Sequence, residues 1–314
     1  MNRHVKALTL LLAAQLLILV GVLWWQARDT ANGGGALLSI DQATVDGILI
    51  EDDTGAKLNL ARRDGAWVLP DSANLPADGE KVAALLKKLF EASAPWPVAT
   101  SIESAKRFEV TPEKFQRHIQ LRVGEQVSGD IYLGTSPGFR KVHARLAESD
   151  DVFAIDFANF EATARADDWL DKALLEPTGD VVGLSRPEHW SLTQSDGTWQ
   201  LDGLSAGEST QEDAAKDLVN KVVNLRVMGI ADAPPAPDSE PALVLIARTA
   251  NGEFDYTFYQ PQPKSDFVVT RSGRDGYFKV AAYIAEALQV ERVNLVASAE
   301  AAASAAPAQP QPTK

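Results

Sequence analysis

Residues 62–69 read Arg-Arg-Asp-Gly-Ala-Trp-Val-Leu, and residues 194–201 read Gln-Ser-Asp-Gly-Thr-Trp-Gln-Leu. Both carry Asp-Gly, a Trp two residues later and a Leu two beyond that. Asp-Gly between alternating apolar runs is a strong hairpin signal, because both central residues of the tight turn need positive φ. Alternation then sends Trp67 and Leu69 to one face of a strand pair, and Trp199 and Leu201 likewise. The match extends upstream. Val45-Asp46-Gly47-Ile48 lies over Val181-Val182-Gly183-Leu184, and Leu58-Asn59-Leu60 over Trp190-Ser191-Leu192. The chain is read as an internal duplication.

Each copy continues into a helix. Val82, Leu85, Leu86, Leu89 and Phe90 recur at helical spacing, with Lys81, Lys87, Lys88 and Glu91 outside. Leu218, Val219, Val222 and Leu225 repeat the stripe. Strand-like runs follow in both copies: 117–123, 128–134, 141–147 and 151–156 in the first, and 242–248, 254–260, 266–272 and 276–288 in the second. The fold expected is α+β: two tandem repeats of an antiparallel sheet with an amphipathic helix packed on it. The boundaries expected are residues 37–176 for the first module and 177–296 for the second. Pro177 and Gly179 mark the junction.

The ends differ in kind from the middle. Leu8–Trp25 is uncharged, with Gln15 its one strongly polar residue. As a helix it spans about 27 Å, close to a bilayer's hydrocarbon core. Arg3 and Lys6 precede it and Trp24-Trp25 close it, the arrangement of a cytoplasm-in span with an interfacial aromatic belt. It is too long for the apolar core of a cleaved signal peptide, and no good small-x-small site follows closely. Residues 1–28 are therefore read as a cytoplasmic stub and transmembrane anchor in a bacterial inner membrane, and 29–36, with Gly33-Gly34-Gly35, as a flexible linker. The bulk of the chain is then periplasmic. Residues 297–314, rich in Ala, Pro and Gln, are expected to form a disordered tail.

Composition excludes several classes of chemistry. A net charge of -13 with no basic stripe argues against a nucleic-acid partner. The absence of Cys excludes disulfides, thiolate metal sites and cysteine nucleophiles. His4, His118, His143 and His189 show no metal-ligand spacing. His143, alternating with Arg145 opposite Val142 and Ala144, is expected to face solvent. Asp167-Asp168 is expected to cap a helical turn. No Gly-x-Ser-x-Gly elbow and no phosphate-binding glycine loop occurs, so any ATP site belongs to a partner. Acidic clusters such as Glu51-Asp52-Asp53 are read as solvated turns. No catalytic, cofactor-binding or metal-binding residue is nominated, and no cofactor is expected. Trp67 and Trp199 are in phase with aliphatic neighbours and are read as core; the alternative is an exposed platform for stacking on sugars.

In order, the chain carries the apolar N-terminal segment, Gly65-Ala66-Trp67-Val68-Leu69, an amphipathic helix and Arg107-Phe108-Glu109-Val110-Thr111-Pro112. It continues with Ile131-Tyr132-Leu133-Gly134, the run from Val142 to Asp156 and Trp169-Leu170-Asp171-Lys172-Ala173-Leu174-Leu175. In that order these motifs resemble the bacterial family defined by domain of unknown function 4340, over roughly residues 37–296. The second copy departs from the pattern, with no counterpart of Gly134 and Pro-rich loops instead. Members of the family accompany ABC-type transporters, including gliding-motility auxiliary systems. The resemblance implies a membrane-anchored extracytoplasmic accessory protein, partnered by ABC permease and ATPase subunits and lacking catalysis of its own. The alternatives are an envelope module binding peptidoglycan or polysaccharide and, third, an envelope hydrolase.

Overall fold

The computed structural model describes residues 35–298 apart from Pro95, together with Gln15 and Leu19. The expected anchor and most of the linker lie outside the described residues, as does the tail from Ala299. Among the described residues no helix is long and apolar enough to cross a membrane. The chain divides between Leu170 and Asp171 into two compact units.

The first unit opens with a meander of β1 (Gly47–Asp52), β2 (Lys57–Arg63), β3 (Ala66–Leu69) and the short β4 (Leu75–Pro76), which leads into α1 (Gly79–Glu91). Next come α2 (Ile102–Arg107) and a small hairpin of β5 (Val110–Thr111) and β6 (Lys114–Phe115). A second meander follows, β7 (Arg117–Val123), β8 (Gln126–Leu133), β9 (Lys141–Leu146) and β10 (Val152–Asp156), and the unit closes on α3 (Ala166–Trp169). Eight strands form one antiparallel sheet in the order β10-β9-β8-β7-β1-β2-β3-β4.

The second unit holds β11 (Val181–Arg186), β12 (Trp190–Ser195), β13 (Thr198–Leu201), β14 (Glu208–Thr210), α4 (Glu212–Val223) and β15 (Gly229–Ile230). It continues with β16 (Leu243–Thr249), β17 (Gly252–Tyr259), β18 (Phe267–Arg271), β19 (Arg274–Val280), α5 (Ala282–Glu286) and β20 (Val296–Ser298). Its sheet runs β13-β12-β11-β16-β17-β18-β19-β15. From the hairpin edge through β3 or β13 to β10 or β19, the two orders are the same. In each, the segment after the helix returns to the far edge. β15 pairs with β19, and Ala99 bridges Val152 of β10. The two sheets are tandem repeats of one α+β topology.

The Asp-Gly turns behave as their chemistry requires. Asp64 and Gly65 have φ of 51° and 83°, and Asp196 and Gly197 have 49° and 80°. Trp67 and Trp199 are buried, at 7% and 4% exposure, which settles them as core rather than a sugar platform. Leu69 and Leu201 are buried with them. α1 buries Val82, Leu85, Leu86 and Leu89, and α4 buries Ala215, Leu218, Val219 and Val222. Asp78 caps α1, accepting from the Lys81 amide at 3.0 Å. Asp78→Ala should therefore cost about 1 kcal/mol, read as a lower urea midpoint. α4 has no such side-chain cap. The free edge of β13 is instead closed by side chains: the Trp199 amide donates to Glu212 Oε2 at 3.0 Å and the Leu201 amide to Thr210 Oγ1 at 2.8 Å. Blunting an edge in this way discourages pairing with another chain.

Several expectations are corrected. Asp171–Glu176 belongs with the second unit, because Tyr256 donates to the Leu175 carbonyl at 2.7 Å and Arg271 to that of Glu176 at 2.6 Å. Burial pushes the Tyr256 hydroxyl up to about 12, so it stays a donor at neutral pH. Ala297 and Ser298, assigned to the tail by composition, form β20 against β14. Gly35 and Ala36, assigned to the linker, are held by the Ala94 amide and a bridge to Ser93. Asp167 and Asp168 lie inside the first turn of α3, and its N-cap is Arg165. The run 276–288 divides into β19 and α5.

Candidate functional site

Period-two alternation sorts the first sheet into two faces. Ile48, Ile50, Ile119, Leu121, Ile131 and Leu133 face the main core and are at most 1% exposed. The opposite face carries a cross-strand row set by register: Lys57, Glu51, His118, Tyr132, Arg145 and Val152. Glu51 Oε2 lies 3.4 Å from Lys57 Nζ and 3.9 Å from His118 Nδ1. His118 Nε2 lies 2.6 Å from Asp130 Oδ1, and Gln120 donates to the other Asp130 oxygen at 3.1 Å. The His118 and Tyr132 rings stack at 4.4 Å, and the Arg145 guanidinium stands over the Tyr132 ring, 5.2 Å from its centroid.

Arg145 is only 4% exposed and has no carboxylate partner among the described residues. Backbone carbonyls satisfy it: Nε donates to Val110 at 2.6 Å, and Nη1 to Leu146, Ala147 and Ser149. The segment carrying α2, β5 and β6 folds over this face and builds a second small core from Ala105, Val110, Tyr132 and Val152, with Phe108 and Phe115 packed against it.

The same cover explains His143, which the alternation of β9 placed in solvent. It is 7% exposed. Phe108 stacks on its ring at 4.0 Å, and Thr135 Oγ1 lies 3.0 Å from Nδ1. Burial pushes its pKa below the ordinary value, against the raising effect of a hydrogen bond to the Thr135 backbone and with the charge of Arg107 adding to the lowering. The sign follows from linkage. Above about pH 6.5 the imidazole is neutral in both folded and unfolded chains. As pH falls below that, the unfolded chain takes up a proton that the folded one resists. Stability should therefore drop as pH falls below about 6.5, and His143→Gln should remove that part of the slope in pH-dependent urea titrations.

Gly134 locks the cover in place. A Cβ there would stand 2.5 Å from the Glu109 carbonyl oxygen and nearer still to that of Phe108. The Thr135 amide donates to the Phe108 carbonyl at 2.9 Å, Gln116 pairs with Leu133, and Asn159 Nδ2 donates to the Gly134 carbonyl at 2.9 Å. Arg107–Pro112, Ile131–Gly134 and Val142–Asp156, far apart in sequence, thus form one assembly. The second sheet lacks it. Gly47 faces Arg122 as Gly183 faces Arg248. With those pairs superposed, Val244, Thr257 and Thr270 take the places of His118, Tyr132 and Arg145.

Two features open to solvent at one end of this sheet. A cleft of about 470 Å³ lies between the β1–β2 turn and the β5–β6 hairpin, lined by Glu51, Asp52, Asp53, Glu109, Glu113 and Phe115. Burial raises the Asp52 carboxyl, but hydrogen bonds from Thr54 and Ala56 outweigh it and hold the group below its usual range. Glu109 is lowered by its bonds from Lys114 and Gln116. The other feature is the loop from Thr135 to Arg140. Ser136 Oγ donates within it, 2.7 Å from the carbonyls of Gly138 and Lys141. Phe139 is 88% exposed with the Arg140 guanidinium 5.1 Å from its ring. Phe160, 75% exposed, follows β10 nearby in sequence.

The Thr135 hydroxyl, 3.0 Å from His143 Nδ1, sits at an imidazole sealed under Phe108. Among the described residues no group of three or more His, Asp or Glu is placed to hold a metal ion. The cleft was not legible in the sequence, because its walls are distant in the chain, Glu51 and Glu109 being 58 residues apart.

The fold is thus a duplicated α+β sheet module, with the distinctive surface confined to the first copy. The family model for domain of unknown function 4340 matches residues 67–244, more than half of the chain, and the protein belongs to that family. No curated protein and no solved structure matches the chain.

Proposed function

We propose that this protein is a membrane-anchored extracytoplasmic accessory component of an ABC-type transport system, acting through protein–protein contact. Leu8–Trp25 is its single inner-membrane anchor, with the N-terminus cytoplasmic and the two modules periplasmic. The observation that carries this reading is the Phe139–Arg140 loop. A large apolar side chain with a guanidinium beside it stands almost fully exposed on a base fixed by Gly134 and Ser136. Rigid aromatic and arginine side chains are the residues on which protein interfaces concentrate their energy. Membership of the family and the apolar N-terminal segment support the transport setting.

The test is a gentle-detergent purification of the full-length protein from its native membranes, with mass spectrometry of what accompanies it. A permease and an ATPase in stable ratio are expected; recovery of the protein alone would overturn the reading. A second reading, an envelope-polymer binding module, draws on the exposed rings of Trp96, Phe139 and Phe160. It expects the full-length protein to sediment with cell-wall sacculi and to lose that property on Phe139→Ala.

A further inference from the structure

Pairing register gathers the loop and the cleft at one end of the first sheet. Asp52 faces Arg117, Arg117 faces Leu133, and Lys141 faces Asp156. The β1–β2 turn, the start of β7, the end of β8 and the start of β9 therefore share this end. From β1 to β9 there are three strand spacings, about 14 Å. The chain enters the unit elsewhere: Leu38 packs beside Gly129, toward the opposite end of β8.

Loop and cleft are complementary in charge, the cleft being lined by five carboxylates against the one ammonium of Lys114, which pairs with Glu109. The loop offers a phenyl ring and the guanidinium of Arg140, which makes no ion pair among the described residues. The cleft offers the Phe115 ring and the carboxylates of Glu113 and Asp52, neither of which makes an ion pair among the described residues. Within one molecule they are separated, and Phe139 stays in solvent. A twofold axis between two such ends brings each loop to the other's cleft, because an isologous interface requires residue i to meet j while j meets i.

We infer that this end of the first module is a self-association surface, on which a second copy of the same chain inserts its Phe139–Arg140 loop into the cleft lined by Glu113 and Phe115. The inference deepens the accessory-protein reading by naming one partner of the contact surface. Anchoring both copies in one membrane raises their effective concentration, so a small interface suffices.

The absence of native cysteine makes the test direct. Full-length chains bearing Phe139→Cys and a different-sized tag are mixed in lipid nanodiscs with chains bearing Glu113→Cys, then oxidised. A mixed disulfide dimer is expected, about tenfold above that from a Phe139→Cys and Glu125→Cys pair, since Glu125 lies on the β7–β8 turn at the other end. Specific docking places only complementary positions in contact. Arg140→Glu, in the otherwise natural chain, should weaken dimers seen by sedimentation about tenfold, and adding Glu113→Arg should restore them. A mixed product no greater than the control, or dimers indifferent to both charge changes, overturns the inference. If permease and ATPase are still recovered in that case, the transport reading stands without it. If dimers form and neither is recovered, the transport reading alone fails.

Discussion

Gly134→Ala is expected to lower the stability of the first module by about 3 kcal/mol or more, at the upper end of what overpacking costs. The added methyl has nowhere to go. Its position overlaps two backbone carbonyls, Phe108 and Glu109, and no rotamer change moves a backbone oxygen. Relief requires the segment from Ala99 to Gln116 to lift away. That would break the Thr135–Phe108 and Gln116–Leu133 backbone bonds and expose Val110, Phe108 and His143. The urea midpoint of the full-length protein should fall, and limited proteolysis should begin to cut between residues 99 and 116. The equivalent position in the second module is Tyr259, and its replacement by alanine should leave the first module's transition where it was. A wild-type midpoint for Gly134→Ala would show that the cover can shift without loss, and the lock would be no lock.

Arg145→Ala should cost as much, about 3 kcal/mol, by a different route. Its guanidinium is buried with no counter-ion among the described residues and satisfies the carbonyls of Val110, Leu146, Ala147 and Ser149. Truncation removes the guanidinium from the carbonyls of Val110, Ala147 and Ser149, while Leu146 keeps its bond from the Ser149 amide, and each buried unsatisfied group costs about 1–3 kcal/mol. It also removes the cation above Tyr132 and the packing of the stem. Lysine keeps the charge but not the planar fork, so Arg145→Lys should recover only part of the loss. Chemical denaturation of the three proteins side by side measures this. Equal midpoints for Arg145→Ala and wild type would mean that water replaces the guanidinium without penalty.

These two residues locate the boundary between local and tertiary information. Asp64-Gly65 and Asp196-Gly197 could be read as turns because a turn's demand for positive φ falls on the residues that form it. The α1 stripe was legible for the same reason: helical spacing of Val82, Leu85, Leu86 and Leu89 is written within thirteen residues. His143 was misread on the same logic. Alternation along β9 says that it lies opposite Val142 and Ala144, which is true, but says nothing of what covers that second face. The cover comes from Phe108, thirty-five positions away. Ala297 and Ser298 were misread because composition ignores a partner strand, and β14 supplies one.

By itself, then, the sequence determined that this protein is two copies of one antiparallel module with a helix each, since turns, stripes and alternation are short-range consequences of backbone geometry. Only the tertiary structure decided that the copies differ in use. Strand register drew Glu51, His118, Tyr132 and Arg145 into one row in the first sheet and left Val244, Thr257 and Thr270 in the second. A cover lies over that row because Gly134 admits a backbone where any other residue would place a Cβ. Those are contacts between segments distant in the chain, and no local pattern encodes them.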